Sequence, residues 1–231
     1  GGALIQGQDV ALISGSALKN SGTLRASSNL KASANDISNS GLVQASERLE
    51  LLATNSIRNA QGGIINSKDV SVTAKKGDIS NERTISQQSL SGKGYSQITS
   101  VVDKAAGIEA TNTLSLSAGR DIQNVGGSLK AGSDATLSAG RDVVIASAAA
   151  ESGSVRKDKR HFWSTTSTTQ YGSEVQVGGD LEVKASNDIT VIASTVKAGG
   201  DIALEAGNDA TIASAANESS SEYRYKGNGK K

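Results

Sequence analysis

Residues 180–217 repeat themselves. Gly179-Asp180-Leu181 returns as Gly200-Asp201-Ile202, and Asn187-Asp188-Ile189 returns as Asn208-Asp209-Ala210, both at a shift of 21 residues. Between these turn pairs run short alternations, Leu181, Val183, Ala185 and then Ile189, Val191, Ala193. Strict alternation is the pattern of a half-buried strand, and no window shows the i, i+3, i+4 spacing of a helix. A fixed period near 20 residues is the signature of a solenoid. One coil cannot bury its apolar face until another stacks on it. Gly and Asn at the corners tolerate the backbone a tight coil requires. The expected fold is therefore all-β, a right-handed parallel β-helix (β-solenoid) with two short strands per coil of about 21 residues, the hand following from the crossover rule for parallel strands.

Composition agrees. The 231 residues include 26 Gly but no Pro, Cys or Met, and only 3% aromatics, so a core must be thin and made of Val, Ile, Leu and Ala. The ordered alternation separates the chain from a disordered polar segment. A net charge of +1 provides no bulk field that would select nucleic acid or membrane. The absence of cysteine excludes a disulfide framework and thiolate metal sites. No apolar run approaches a membrane span, and no initiator Met or signal peptide is present. The expectation is a single β-helix domain over 1–231, cut from a longer repeat array.

Residues 1–81 carry a variant of the repeat. Leu18-Lys19-Asn20 returns as Ile37-Ser38-Asn39, Ile57-Arg58-Asn59 and Ile79-Ser80-Asn81. The recurrent Asn can either stack on its counterpart in the next coil as an amide ladder or serve as a turn residue. Leu24, Leu30, Val43, Leu49, Leu51, Val70 and Val72 form the inward set here, and Leu137, Ile145, Val183, Val191, Leu204 and Ile212 form it further on. Three stretches break the period, at 82–108, 151–174 and 217–231, and are read as loop or β-hairpin excursions. Ile145-Ala-Ser-Ala-Ala-Ala-Glu151 matches Ile212-Ala-Ser-Ala-Ala-Asn-Glu218 at an offset of 67, so a larger unit of coils plus excursion also repeats. Dividing the periodic residues by the coil length gives roughly eight coils, a rod about 40 Å long at the parallel-strand spacing.

Little here supports catalysis or ligation. Asp followed by an apolar residue recurs from Asp9-Val10 to Asp209-Ala210, but without the nine-residue Gly-Gly-x-Gly-x-Asp pattern of calcium solenoids, and a turn role accounts for it. His161 is the only histidine, with Asp158 close by and no nucleophile partner in sequence. No Gly-x-x-x-x-Gly-Lys-Ser/Thr is present. The chain is expected to be no enzyme and to need no metal or cofactor.

The aromatics are the informative residues. Tyr95, Phe162, Trp163, Tyr171, Tyr223 and Tyr225 all fall in the excursions. Rings beside Lys and Arg suit a membrane interface or a glycan face. Phe162, Trp163, Tyr171, Tyr223 and Tyr225, with the basic cluster Arg156, Lys157, Lys159 and Arg160, are the candidate membrane or partner contacts, the basic cluster being either an anionic contact or simply a solvated strand face. Residues 151–174 are expected to form a hairpin whose halves, Arg156–Trp163 and Thr165–Tyr171, flank Ser164. That arm either projects from the rod or folds back to protect an edge.

These residues carry a resemblance. Ala118-Gly119-Arg120-Asp121-Ile122, Ala139-Gly140-Arg141-Asp142-Val143 and Ala198-Gly199-Gly200-Asp201-Ile202 resemble the haemagglutinin repeats of filamentous-haemagglutinin-type exoproteins. The runs Asn20–Ser27 and Asn39–Ser46 resemble the 20-residue repeat of that family, and the basic break ending in a Ser/Thr run, Arg156–Thr169, is similar to interruptions in its later repeat block. The family comprises large bacterial surface proteins exported by two-partner secretion, including adhesins and CdiA-type effectors of contact-dependent growth inhibition. The resemblance implies a secreted or cell-surface location and a cognate two-partner-secretion transporter acting on the parent protein. It also implies an elongated, non-enzymatic, monomeric segment that helps to carry a toxin across the outer membrane of a target cell. The alternative it leaves open is an adhesin rod binding host glycan or protein.

Overall fold

A computed structural model describes residues 2–227 of the chain, so residues 228–231 of the third excursion lie outside the described residues. Every regular element described is a strand. Each coil carries three of them rather than the two expected. One complete coil runs Leu181–Ala185, Ile189–Ile192 and Thr195–Ala198. The next begins with Ile202–Ala206, which pairs in parallel with the first strand and sets Ile202 opposite Leu181, 21 residues on. The overlooked third strand is a four-residue run with only two inward positions, too short for alternation to stand out from its flanking Gly.

Stacking the coils produces three parallel faces. A 14-stranded sheet wraps two of them, and the long strand Thr23–Ala34 turns that corner by pairing with both Leu42–Ala45 and Arg48–Ala53. An 8-stranded parallel sheet forms the third face. Alternate residues point inward into one narrow apolar column in which Leu30, Leu49, Leu51, Ile65, Ile108, Leu116 and Leu137 are fully buried. Leu137, Ile145, Val183 and Val191 are buried as expected. Leu204 and Ile212 are not, at 38% and 77% exposed. Both occupy inward positions, opposite Val183 and Val191, but no coil covers them among the described residues.

Two polar columns run along the rod. The recurrent asparagines form a ladder: the amide of Asn20 donates to the side-chain oxygen of Asn39 (2.8 Å), Asn39 to Asn59 (2.9 Å), Asn59 to Asn81 (3.0 Å) and Asn81 to Asn124 (2.9 Å). Asn39, Asn59, Asn81 and Asn124 are buried. At the next levels the same position is held by Ile145, Val191 and Ile212. At the corners, each Asp carboxylate accepts a backbone N–H from the coil above. Asp78 accepts from Asp121 (3.0 Å), Asp121 from Asp142 (3.1 Å), Asp142 from Asp188 (3.0 Å) and Asp188 from Asp209 (3.0 Å). The turn role expected of these residues is thus a coil-to-coil cap, satisfying N–H groups that the corner withholds from the sheet.

The excursions make a second sheet. The first arm is the antiparallel pair Ile85–Gly92 and Tyr95–Val102, after which the coil resumes at Gly107. The second is Ala148–Lys157 and His161–Tyr171, and the third contributes Glu218–Tyr225. The arms neither stand apart nor fold back separately; they pair edge to edge into one 5-stranded antiparallel sheet. The geometry that allows this is simple. The arms leave the 8-stranded face after Ile79–Glu82, Val143–Ala146 and Ala210–Ala213, and these strands lie two steps apart in that sheet. Two coil steps rise about 10 Å, which is also the width of a two-strand arm at about 4.8 Å per strand. Successive arms therefore meet in register. The second hairpin turns at Asp158–Arg160, not at Ser164, which lies inside a strand opposite Val155.

Candidate functional site

The arm sheet has little apolar substance along its length. Cross-strand hydroxyl pairs join its strands instead: Ser152 with Ser167 (2.7 Å), Ser154 with Thr165 (3.0 Å) and Thr166 with Ser220 (2.6 Å). Most of its aromatic and basic residues gather at the far end, where the turns of the first two arms and the end of the third strand lie side by side. Lys157 donates its backbone N–H to Gly94 of the first arm (2.7 Å), and Lys226 of the third donates to Arg160 of the second (2.8 Å).

Cross-strand register then lines up Tyr95, Arg156, Trp163 and Tyr223, one from each of four neighbouring strands. Directly opposed residues of antiparallel strands share a face. Two positions along on the same face stand His161 and Tyr225, which are paired with each other. The rings pack against one another, His161 stacked on Trp163, Tyr225 tilted against His161 and Tyr223 tilted against Trp163. His161 lies 5.1 Å from Trp163 at 14° and 5.3 Å from Tyr225 at 38°, and Trp163 lies 5.5 Å from Tyr223 at 33°. The Arg156 guanidinium sits 5.8 Å over the Tyr95 ring. On the opposite face, Arg224 sits 5.6 Å over Phe162. Trp163, Tyr223 and Tyr225 remain 41%, 57% and 56% exposed, so the cluster offers much of its ring surface to solvent while the rings pack on one another.

Of the sequence-predicted contacts, Arg156, Trp163, Tyr223 and Tyr225 share one face, Phe162 takes the other, and Lys157, Lys159 and Arg160 crown the central turn, all exposed. Tyr171 is not part of this group. It lies at the root of its arm with its ring 5.1 Å under Arg83, whose guanidinium also donates to the Asp103 carbonyl (2.9 Å). Tyr95, His161, Arg224 and Lys226 join the ridge without having been singled out as contacts.

Asp158 shapes the central turn. Its carboxylate accepts the backbone N–H groups of Arg160 and His161 (2.7 Å each) and meets His161 Nδ1 at 3.0 Å. The Arg160 N–H, then that of His161, hold this carboxyl below its ordinary value. A folded-state value below the unfolded one means that the turn is favoured at neutral pH and loses that support as pH falls through the folded value. Protection of the Arg160 and His161 amides, relative to their intrinsic exchange rates, is therefore expected to fall in acid before the rod unfolds, and Asp158→Asn to show weaker protection already at neutral pH. Flat protection in both cases would remove Asp158 as the organiser of the turn.

Comparison with known proteins follows the same division. The Hemagglutinin repeat family model matches twice, over residues 85–161 and 152–229, each match opening on an arm and running through the following coils into the next. The chain is 32% identical over 131 residues to the 16S rRNA endonuclease CdiA of Enterobacter cloacae subsp. cloacae, covering 55% of this chain. It spans only 4% of the length of that relative. No solved structure matches it. The chain belongs to the hemagglutinin repeat family, as a filamentous-haemagglutinin-type repeat segment of a large, CdiA-like secreted protein.

Proposed function

We propose that this segment serves toxin delivery: the solenoid holds the arms at a fixed spacing, and the arm ends touch the outer membrane of a target cell. The observation that carries this reading is the convergence of three arms, distant in sequence, on one ridge with exposed Trp163, Tyr223 and Tyr225 beside cations. Amphipathic rings flanked by Lys and Arg suit the water–lipid boundary. A two-partner-secretion transporter for the parent protein and a cell-surface location belong to the same reading, which rests on the likeness to CdiA. An adhesin rod that binds glycan is less well supported. A sugar platform needs open ring faces, and His161, Trp163 and Tyr223 pack against each other.

The test is made in the parent effector. Phe162→Ser with Trp163→Ser is expected to lower toxin delivery into target cells while export and surface display stay normal, because neither ring enters a coil of the rod. Delivery at the parental rate with both rings gone would sink the reading and leave the arms as a structural cover.

A further inference from the structure

We infer that the arm ridge is a docking surface for an anionic lipid surface, recognising phosphate-bearing headgroups by charge before its rings engage. This rests on the membrane reading above and adds the chemistry of the partner. The sequence as a whole is almost neutral, with 24 Lys and Arg against 23 Asp and Glu. The fold redistributes that charge. Lys93, the four basic residues of Arg156–Arg160, Arg224 and Lys226 come from three separate arms to a single edge. Only two acidic side chains accompany them, and both are engaged: Asp158 inside its turn and Glu222 on Arg224. The remainder of the chain is left with more acidic than basic residues, so the molecule is polarised, with its positive pole at the arm ends.

Ring geometry selects among polyanions. Nucleic acid bound to a cationic groove is usually held by aromatic faces on which bases stack. Here His161 stacks on Trp163 and Tyr223 while Tyr225 tilts against it, so the rings engage one another rather than standing apart as separate stacking platforms. A cluster of mutually packed rings among ammonium and guanidinium groups matches a headgroup layer, where the cations meet phosphate and the rings lie at the acyl boundary.

Trp163 is the sole tryptophan and reports directly on this edge. The purified chain is titrated with vesicles of phosphatidylcholine alone and of phosphatidylcholine mixed with phosphatidylglycerol, following Trp163 emission and vesicle flotation. Binding and a blue shift are expected on the anionic vesicles, weakening steeply as added salt shortens the screening length to about 10 Å or less. The variant Lys157→Gln, Lys159→Gln, Arg160→Gln should bind them about a hundredfold more weakly, at about fivefold for each cation lost near the surface. Its melting curve is recorded beside that of the parent, and the lipid and salt preferences of the parent stand even if the variant misfolds. Equal binding to both vesicles, insensitive to salt, overturns the anionic preference but leaves membrane contact standing. Binding to heparin or single-stranded DNA with no vesicle binding overturns both.

Discussion

Asn59→Leu should destabilise the rod by about 3 kcal/mol or more, whereas Asn124→Ile should cost about 1 kcal/mol, from the usual price of an orphaned buried polar group. Both side chains are fully buried and differ chiefly in their place on the ladder. Asn59 is an internal rung. Its amide donates to the Gly63 and Gly107 carbonyls and is the donor that reaches the side-chain oxygen of Asn81, while its own oxygen accepts from Asn39. Leucine removes all of these, and the Asn81 oxygen is left buried with nothing to accept. Asn124 is the last rung. No amide beyond it needs a donor, and the Asn81 amide it leaves still reaches the Ala106 and Ser128 carbonyls. The coil above already places Ile145 in register with Asn124, so the space takes a β-branched side chain. Urea unfolding of the two variants, checked for an unchanged slope, measures the difference. Equal costs would mean that the ladder does not act as a connected chain of bonds.

The ladder was partly legible from spacing. Asn20, Asn39, Asn59 and Asn81 follow an apolar residue by two positions at nearly constant intervals; the structure shows the stacking, and at Asn20 and Asn39 the turn role as well, their side-chain oxygens accepting the N–H groups of Gly22 and Gly41. Asn124 carries the same signal in Ile122-Gln123-Asn124, but the first arm intervenes and stretches the interval to 43 residues. The inward columns were legible because alternation survives every change of residue. The third strand of each coil was not, because its four residues offer too little pattern. Nor was the turn of the second arm: Asp158 works by accepting N–H groups of residues that follow it, and a Ser/Thr-rich strand around Ser164 looks as much like a loop. What joins the arms could not be read from any one stretch. It depends on the rise of the solenoid matching the width of a hairpin. The 67-residue offset held a partial clue, since carried forward from Glu151 and Glu218 it aligns Arg156 with Tyr223 and Tyr95 with Phe162. The candidate contacts were thus recognisable as residue types, while their division between the ridge and the Arg83–Tyr171 root required the fold.

Val183→Asp and Leu204→Asp should separate burial from mere position. The two residues face each other in adjacent coils of the same inward column. Val183 is fully buried beneath Leu204 and above Leu137, whereas Leu204 is 38% exposed. An aspartate at 183 meets Leu137, Leu204 and neighbouring aliphatic chains with no cation or N–H donor available, since the ladder N–H groups on either side are committed to adjacent strands. Burying a carboxylate without a partner costs several kcal/mol, partly relieved by protonation. That approaches the whole stability of an ordinary domain. Loss of the cooperative transition near neutral pH is therefore expected, with partial recovery in mild acid where the carboxyl is neutral. At 204 the same side chain reaches water from the uncovered end, and the cost should stay within about 1 kcal/mol. If both variants melt like the parent, the strands are out of register by one residue and the column points outward. If both are equally damaged, the open face of the last coil is covered in solution, which sedimentation at several concentrations would reveal as association between copies.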